Sequence, residues 1–296
     1  TETTVMPERV CPARMVTGSP PSIATTAALS PITPISATSL CAQAPQEQAR
    51  RSRSAIKCGM NPVGIFRHAR TEGPGYFATY LERRSIPWQL VALDDGAAVP
   101  RDPRRYSGLV FMGGPMSVND DLPWIIPALD LIRDAVRHDV PVLGHCLGGQ
   151  LMSKAFGGAV RAAPVKEIGW GEVRVADNAL ARAWLGETQS FESFHWHGET
   201  FSIPPGATRI LESGHCVNQG FALGKHLGMQ CHVEMTEELV RSWLSTGADE
   251  IRAAAASPGV QKPQDIERDL KPRLDALHDV ASRLYDRWTE GLSRGS

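Results

Sequence analysis

No apolar run in this chain approaches the ~20 residues needed for a membrane-crossing helix, so no helical span is expected. Excess charge is also missing. The formal net charge is −1, and Lys and Arg are scattered rather than striped, which removes the usual footprint of a nucleic-acid surface. The six cysteines, at positions 11, 41, 58, 146, 216 and 231, include no C-x-x-C pair and resemble no disulfide framework. That points to a reducing, cytoplasmic setting. Only the His195-x-His197 pair has ligand-like spacing, too few donors for a zinc site, so no metal is expected. No G-x-G-x-x-G follows the first apolar strand, and Gly113-Gly114-Pro115 lacks the Gly-Lys-Ser/Thr of a phosphate loop. Nucleotide binding is thus unsupported, and no cofactor is expected. There is no internal repeat. What remains is a 296-residue chain, 42% hydrophobic, of ordinary globular composition and one or two domains.

Residues 1 to about 57 stand apart, being rich in Ser, Thr, Pro and Ala, free of aromatics, and without a sustained period of 2 or 3.6. Such a segment cannot bury enough apolar surface to offset its ordering entropy, so disorder is expected for 1–59. Two other readings stay open: a transit peptide ending in Arg50-Arg51-Ser52-Arg53, or a true start at Met60. From Pro62 strands and helices alternate. Strands are expected at 63–66, 88–93 and 109–112, with helices at 76–84 and 125–138, before the strand Pro141-Val142-Leu143. Short apolar strands between helices predict an open parallel sheet covered on both faces, whose sites lie beyond the strands' carboxyl ends. The pattern then turns to β, at 172–175, 191–195, 209–211, 221–223 and 227–231. Thr236 caps a helix with Glu237 and Glu238 in its first turn. In the last fifty residues, Leu270, Leu274, Leu277, Ala281, Leu284 and Trp288 step by threes and fours, which predicts a helix packed on the sheet. The catalytic domain is expected over 60–246, with a C-terminal helical extension over 247–296.

The chemistry gathers at Gly144-His145-Cys146-Leu147-Gly148, where a strand meets a helix-like stretch running to Phe156. Glycines two residues either side of a cysteine describe a nucleophile elbow with sulfur in place of oxygen. The turn needs glycine where a Cβ would clash, and the helix N-terminus favours the thiolate, which is the nucleophile. Alone, a cysteine is more often a small buried hydrophobe. A hydrolase also needs a base and a group to orient that base. Gln230-Cys231-His232-Val233-Glu234 supplies both, since two-residue spacing places His232 and Glu234 on one side of an extended segment.

With those residues in view, the chain resembles the class I (triad-type) glutamine amidotransferases, nearest to stand-alone proteins similar to the glutaminase domain of GMP synthase. The likeness covers roughly residues 62–245 and rests on FMGGP, GHCLGGQ, EIGW, FHWHGETF, NQGFALG and GMQCHVE in the family's order. It implies a flavodoxin-like α/β fold with Cys146 as nucleophile, His232 as base and acid, and Glu234 as orienter. It also implies an oxyanion hole from the backbone N–H groups of Leu147 and Gly114. Gln150 would contact the substrate glutamine, and Asn218, Gly220 and Phe221 would hold its amino-acid end. FHWHGETF would be structure at the rim, and His145 a neighbour that packs or tunes the thiolate. The family's usual Q-F-H-P-E is here Q-C-H-V-E; Val233 gives up rigidity but fits a strand, and a disulfide between Cys231 and Cys146 is not expected. The implied reaction is hydrolysis of the glutamine side-chain amide through a γ-glutamyl thioester. The S-G-G-x-D-S loop of the GMP synthase ATP-pyrophosphatase domain is absent from the sequence, so a separate ammonia-accepting synthetase is one expectation. Hydrolysis of a γ-glutamyl peptide or amine by the same triad is the second. A non-catalytic regulatory protein on the same fold is the third. Oligomeric state is not readable.

Overall fold

The computed structural model describes residues 59–293. The expectation for 1–59 therefore falls almost wholly outside the described residues. Ten strands form one mixed sheet whose parallel half is built from β1 (Val63–Arg67), β2 (Trp88–Ala92), β3 (Gly108–Phe111), β4 (Val142–His145) and β9 (His226–Met229). Their spatial order is β2-β1-β3-β4-β9, every neighbour parallel. The antiparallel half continues through β8 (Gly220–Leu223), β7 (Thr208–Ser213) and the long β5 (Val160–Val175). That strand also pairs antiparallel with β6 (Ser190–Phe201) and parallel with the two-residue β10 (Gly259–Val260).

Alternation along the parallel strands makes both faces apolar, and each face collects its own helices. Val63, Ile65 and Val110 share a buried cluster with Phe77 and Leu81 of α1 (Gly75–Arg83) and with α8 (Leu270–Thr289). Phe66, Leu109 and Phe111 pack in the other cluster with α2 (Ile125–Arg137) and α3 (Leu147–Ala155). The four remaining helices are α4 (Ala179–Leu185), α5 (Glu237–Thr246), α6 (Ala248–Ala253) and α7 (Pro263–Glu267). The parallel strands match their expected positions within a residue or two, and the Thr236 side chain caps α5 by accepting from the Leu239 N–H.

The start of β5, helix α4 and the two-residue β10, which lies in the stretch expected to be helical, escaped the sequence reading. β5 begins twelve residues earlier than its expected start at 172, because its first part is largely exposed and carries no alternation. Helix α4, capped by Asn178 through the Ala181 N–H, is too short for its period to register. In α8 the residues expected to be buried are buried: Leu277, Ala281, Leu284 and Trp288 are at most 1% exposed. The helix also reaches the next segment of interest, since His278 Nε2 donates to the Met235 carbonyl at 2.8 Å. Among the described residues no helix is long and apolar enough to cross a membrane.

Candidate active site

The carboxyl ends of β1, β3, β4 and β9 lie at one edge of the sheet, and the candidate residues stand there. β1 and β3 are neighbours although β2 separates them in the chain, so this edge holds the sheet's topological switch point, where open α/β sheets place their ligands. Cys146 follows β4 directly and has φ 49° and ψ −106°, a strained conformation for a side-chain-bearing residue. Its neighbours explain the glycines. A Cβ on Gly148 would stand 2.0 Å from the Phe111 carbonyl oxygen, and one on Gly144 2.4 Å from the Gly148 backbone. The turn can thus pass close beneath β3, and the Cys146 N–H donates to the Met229 carbonyl at 2.8 Å.

His232 lies three residues beyond β9, its N–H donating to the Phe194 carbonyl at 2.8 Å. Its ring is 1% exposed, and Nδ1 donates to Glu234 Oε1 at 2.7 Å. Nε2 is buried without a hydrogen-bond partner. Burial by itself would lower the His232 pKa, but the Glu234 carboxylate and the neighbouring Cys146 side chain override it and hold the pKa well above the ordinary value. At Glu234, His145 and then His232 outweigh burial and keep the carboxyl well below the usual carboxylate range. His145, expected to pack or tune the thiolate, is fully buried, and its Nδ1 lies 3.0 Å from Glu234 Oε2, at ion-pair distance although out of hydrogen-bond alignment. Trp243 sets its ring edge-on to His232, with centroids 4.9 Å apart.

Gly114 and Leu147 come together beside the sulfur. A Cβ on Gly114 would lie 2.8 Å from Leu147 Cδ2. Leu147 is the first residue of α3, so its N–H has no intrahelical acceptor. Gln150 lines the cleft, and its Nε2 donates to Gln230 Oε1 at 3.1 Å. Gln230 Nε2 in turn lies 3.4 Å from Cys146 Sγ, a donor to the sulfur that the sequence reading did not single out.

The cleft over Cys146, about 560 Å³ in volume, is walled on its far side by Lys166, Trp196, His197, Gly198 and Glu199. This reverses an expectation. Asn218, Gly220 and Phe221 do not reach the cleft. The Asn218 side chain donates to the Phe201 carbonyl at 2.9 Å, Gly220 sits against Leu211, and Phe221 is fully buried against Phe201. FHWHGETF, read as rim structure, supplies the wall, and Cys146 Sγ itself lies 3.9 Å from the Trp196 carbonyl. The residue of the NQGF segment that matters is Gln219, from one layer behind. Its Nε2 donates to Glu167 Oε2 at 2.9 Å and lies 3.3 Å from His195 Nδ1 and 3.4 Å from His197 Nε2. Ser213 Oγ donates to the other oxygen of Glu167 at 3.2 Å, and His197 Nε2 is 3.2 Å from Oε2. Burial would raise the Glu167 pKa, yet these partners keep it below its ordinary value.

Glu167, His197 and Cys216 also bring potential ligand atoms within 4.8 Å of one another, a closer grouping than the His195-x-His197 pair suggested. Both Glu167 oxygens already accept hydrogen bonds, and Cys216 Sγ is 3.2 Å from Thr200 Oγ1. Cys146, Cys216 and Cys231 are free thiols. Burial pushes the Cys231 thiol up to about 12.

Residues 77–246 match the family model described as glutamine amidotransferase class-I, more than half of the chain. The chain belongs to the class I glutamine amidotransferase family. A glutamine amidotransferase-like protein of Salmonella typhimurium is 31% identical over 196 residues, covering 63% of this chain and 81% of that one. Gamma-glutamyl peptidase 3 of Arabidopsis thaliana is 27% identical over 177 residues, 56% of this chain and 71% of its own. GMP synthases are among the further relatives. In three dimensions, a glutamine amidotransferase from Methylobacillus flagellatus superposes with a TM-score of 0.78 at 46% identity, covering 80% of this chain and 97% of that one.

Proposed function

We propose that this amidotransferase-family chain is a cysteine-dependent hydrolase that opens the γ-carboxamide of glutamine through a γ-glutamyl thioester on Cys146. The observation that carries the reading is the His232 ring, fixed at Nδ1 by Glu234 and close enough to the Cys146 side chain to have its pKa raised by it. Such a ring has one nitrogen free to take a proton from sulfur and return it to a leaving nitrogen. Cys146 attacks the γ-carbon and the tetrahedral oxygen settles on the N–H groups of Leu147 and Gly114. Each donor of this kind is typically worth ~2.7–4 kcal/mol. The C–N bond then breaks and nitrogen leaves with the His232 proton. Water, giving its proton to the same imidazole, adds to the thioester and releases glutamate and the thiol. Gln230 steadies the sulfur between these steps. In this reading the cleft wall at Trp196, His197 and Gly198 holds the amino-acid end of the substrate.

The test is glutamate release by the purified chain. Cys146→Ala should lower it by on the order of 10⁴-fold or more, and a glutamine-analogue electrophile should label the wild type at Cys146 alone. Glutamate release that survives the substitution would sink the reading. Absence of labelling would favour a non-catalytic protein on this fold. Free ammonia would pass to a separate synthetase partner. The second reading, hydrolysis of a γ-glutamyl peptide or amine, uses the same atoms. It is supported by the gamma-glutamyl peptidase relative and by an acidic side chain on the leaving-group side of the cleft, considered next.

A further inference from the structure

Glu72 lies in the segment between β1 and α1, part of Thr71-Glu72-Gly73-Pro74-Gly75, and lines the cleft. Backbone bonds pin this segment. Trp243 Nε1 donates to the Thr71 carbonyl at 2.8 Å, the Glu72 N–H to Ala69 at 3.0 Å, and the Tyr76 N–H to the Glu234 carbonyl at 2.8 Å. The backbone that carries Glu72 is thereby fixed at the cleft. Glu72 Oε2 and His232 Cε1 lie 2.5 and 3.3 Å from one point, the position a Gly113 Cβ would occupy. Gly113 is what leaves room for the acid. Among the described residues, no hydrogen bond or ion pair engages the Glu72 carboxylate, and burial raises its pKa to about 7. His232 tempers that rise and Glu234 adds to it.

A carboxylate with no hydrogen-bond or ion-pair partner among the described residues is costly unless something arrives to meet it. The leaving nitrogen must come to Nε2 to be protonated, which puts whatever is attached to that nitrogen beside Glu72. The rest of the lining agrees in sign: the cleft holds Glu72, Glu199 and Glu250 against Lys166, and Lys166 is already paired with Glu250 at 2.5 Å. An anionic leaving group meets repulsion here, and a cationic one meets an unpaired acid.

We propose that the preferred substrate is a γ-glutamyl amide whose leaving amine carries a further positive charge, and that Glu72 recognises that charge. This rests on the γ-glutamyl thioester reading and specifies its leaving group. The atoms balance as in glutamine hydrolysis. Sulfur bonds to the γ-carbon, the C–N bond breaks, and the diamine leaves with the His232 proton. Water then replaces sulfur, giving glutamate and the free thiol.

The experiment compares kcat/KM of the full chain, at pH 8, on the mono-γ-glutamyl derivatives of 1,5-diaminopentane, n-hexylamine and 6-aminohexanoate, with glutamine alongside. The expected order is cationic, neutral, anionic, with roughly tenfold between neighbours. Glu72→Gln should compress the whole order to within about threefold, and Glu72→Lys should reverse it. Ratios within each variant are read, so a general loss of activity does not blur the outcome. Turnover of all three amides without charge order in the wild type overturns the proposal but leaves the thioester reading standing. An order that persists in Glu72→Gln overturns the role of Glu72. If neither glutamine nor any amide is turned over and Cys146 is not acylated, the thioester reading itself has failed, and this inference with it.

Discussion

The two walls of the cleft differ in how far their polar groups are satisfied. On the antiparallel side, Glu167 accepts from Ser213 and Gln219, His197 stands against Glu167, and Lys166 is paired with Glu250. On the parallel side, Glu72 has no partner among the described residues, His232 Nε2 is buried without one, and Cys146 holds a strained φ of 49°. A satisfied network rigidifies a surface and fixes its shape, whereas unsatisfied groups carry a standing cost that a substrate can relieve. On the proposed function, one wall would give shape and the other chemistry.

Among the effects that bear on this contrast, the largest falls on the parallel wall. Gly75 has φ +50°, and a Cβ there would lie 2.2 Å from the Glu234 carbonyl oxygen. Gly75→Ala should therefore push the His232–Glu234 segment off its geometry. A displacement of ~1 Å can cost about 10²-fold in kcat, measurable as glutamate release, while circular dichroism still reports a folded chain. Retained activity would mean that the segment adapts and that the wall is less finely set than argued. Next comes Gln219→Ala on the opposite wall. It strips donors from a buried carboxylate and should cost about 2–3 kcal/mol in denaturant unfolding. It should raise KM more than it lowers kcat. The reverse pattern would break the division between the walls.

Acid should act on both walls at once. Burial lowers the pKa of His68, His195 and His226 to about 4, opposed in each case by weaker favourable contacts. The unfolded chain then binds more protons than the folded one between pH 6.5 and about 4, so stability is lost as pH falls through that window. Each histidine should contribute on the order of 2 kcal/mol. His226 has a visible reason, since its Nδ1 accepts from the Val142 N–H at 3.1 Å and cannot do so when protonated. Thermal melts from pH 7 to 4 should therefore slope downward, less steeply in His226→Gln. The smallest effect has the opposite sign. Glu72, raised to about 7, favours the folded state while protonated, and that contribution is lost as pH rises from about 4.5 through 7. Glu72→Gln should flatten the loss, by less than about 1 kcal/mol because the cleft admits water to the group. A melt curve unchanged by the substitution would show that the carboxylate is better solvated than its surroundings imply.

Much of this was legible in the chain. The parallel strands and α8 could be read because their burial is periodic, and the elbow because Gly144 and Gly148 flank Cys146 at a fixed spacing. Which segment lines the cleft was not legible, for a physical reason. Asn218-Gln219-Gly220-Phe221 and Phe194-His195-Trp196-His197 carry similar mixtures of polar and aromatic residues. Only the packing turns Phe221 into the core and brings Trp196, His197 and Gly198 to the cleft. Glu167 and Gln219, far apart in the chain, had no local pattern to announce that they would meet.

The sequence by itself determined the fold class, the family and the elbow, since each is written in local spacing, and local spacing follows from backbone geometry. Tertiary structure alone decided which segment walls the cleft, that His145 stands against Glu234, and that Glu72 has no hydrogen-bond or ion-pair partner among the described residues. Those outcomes depend on distances between strands far apart in sequence, which is where the environment of a charge is set.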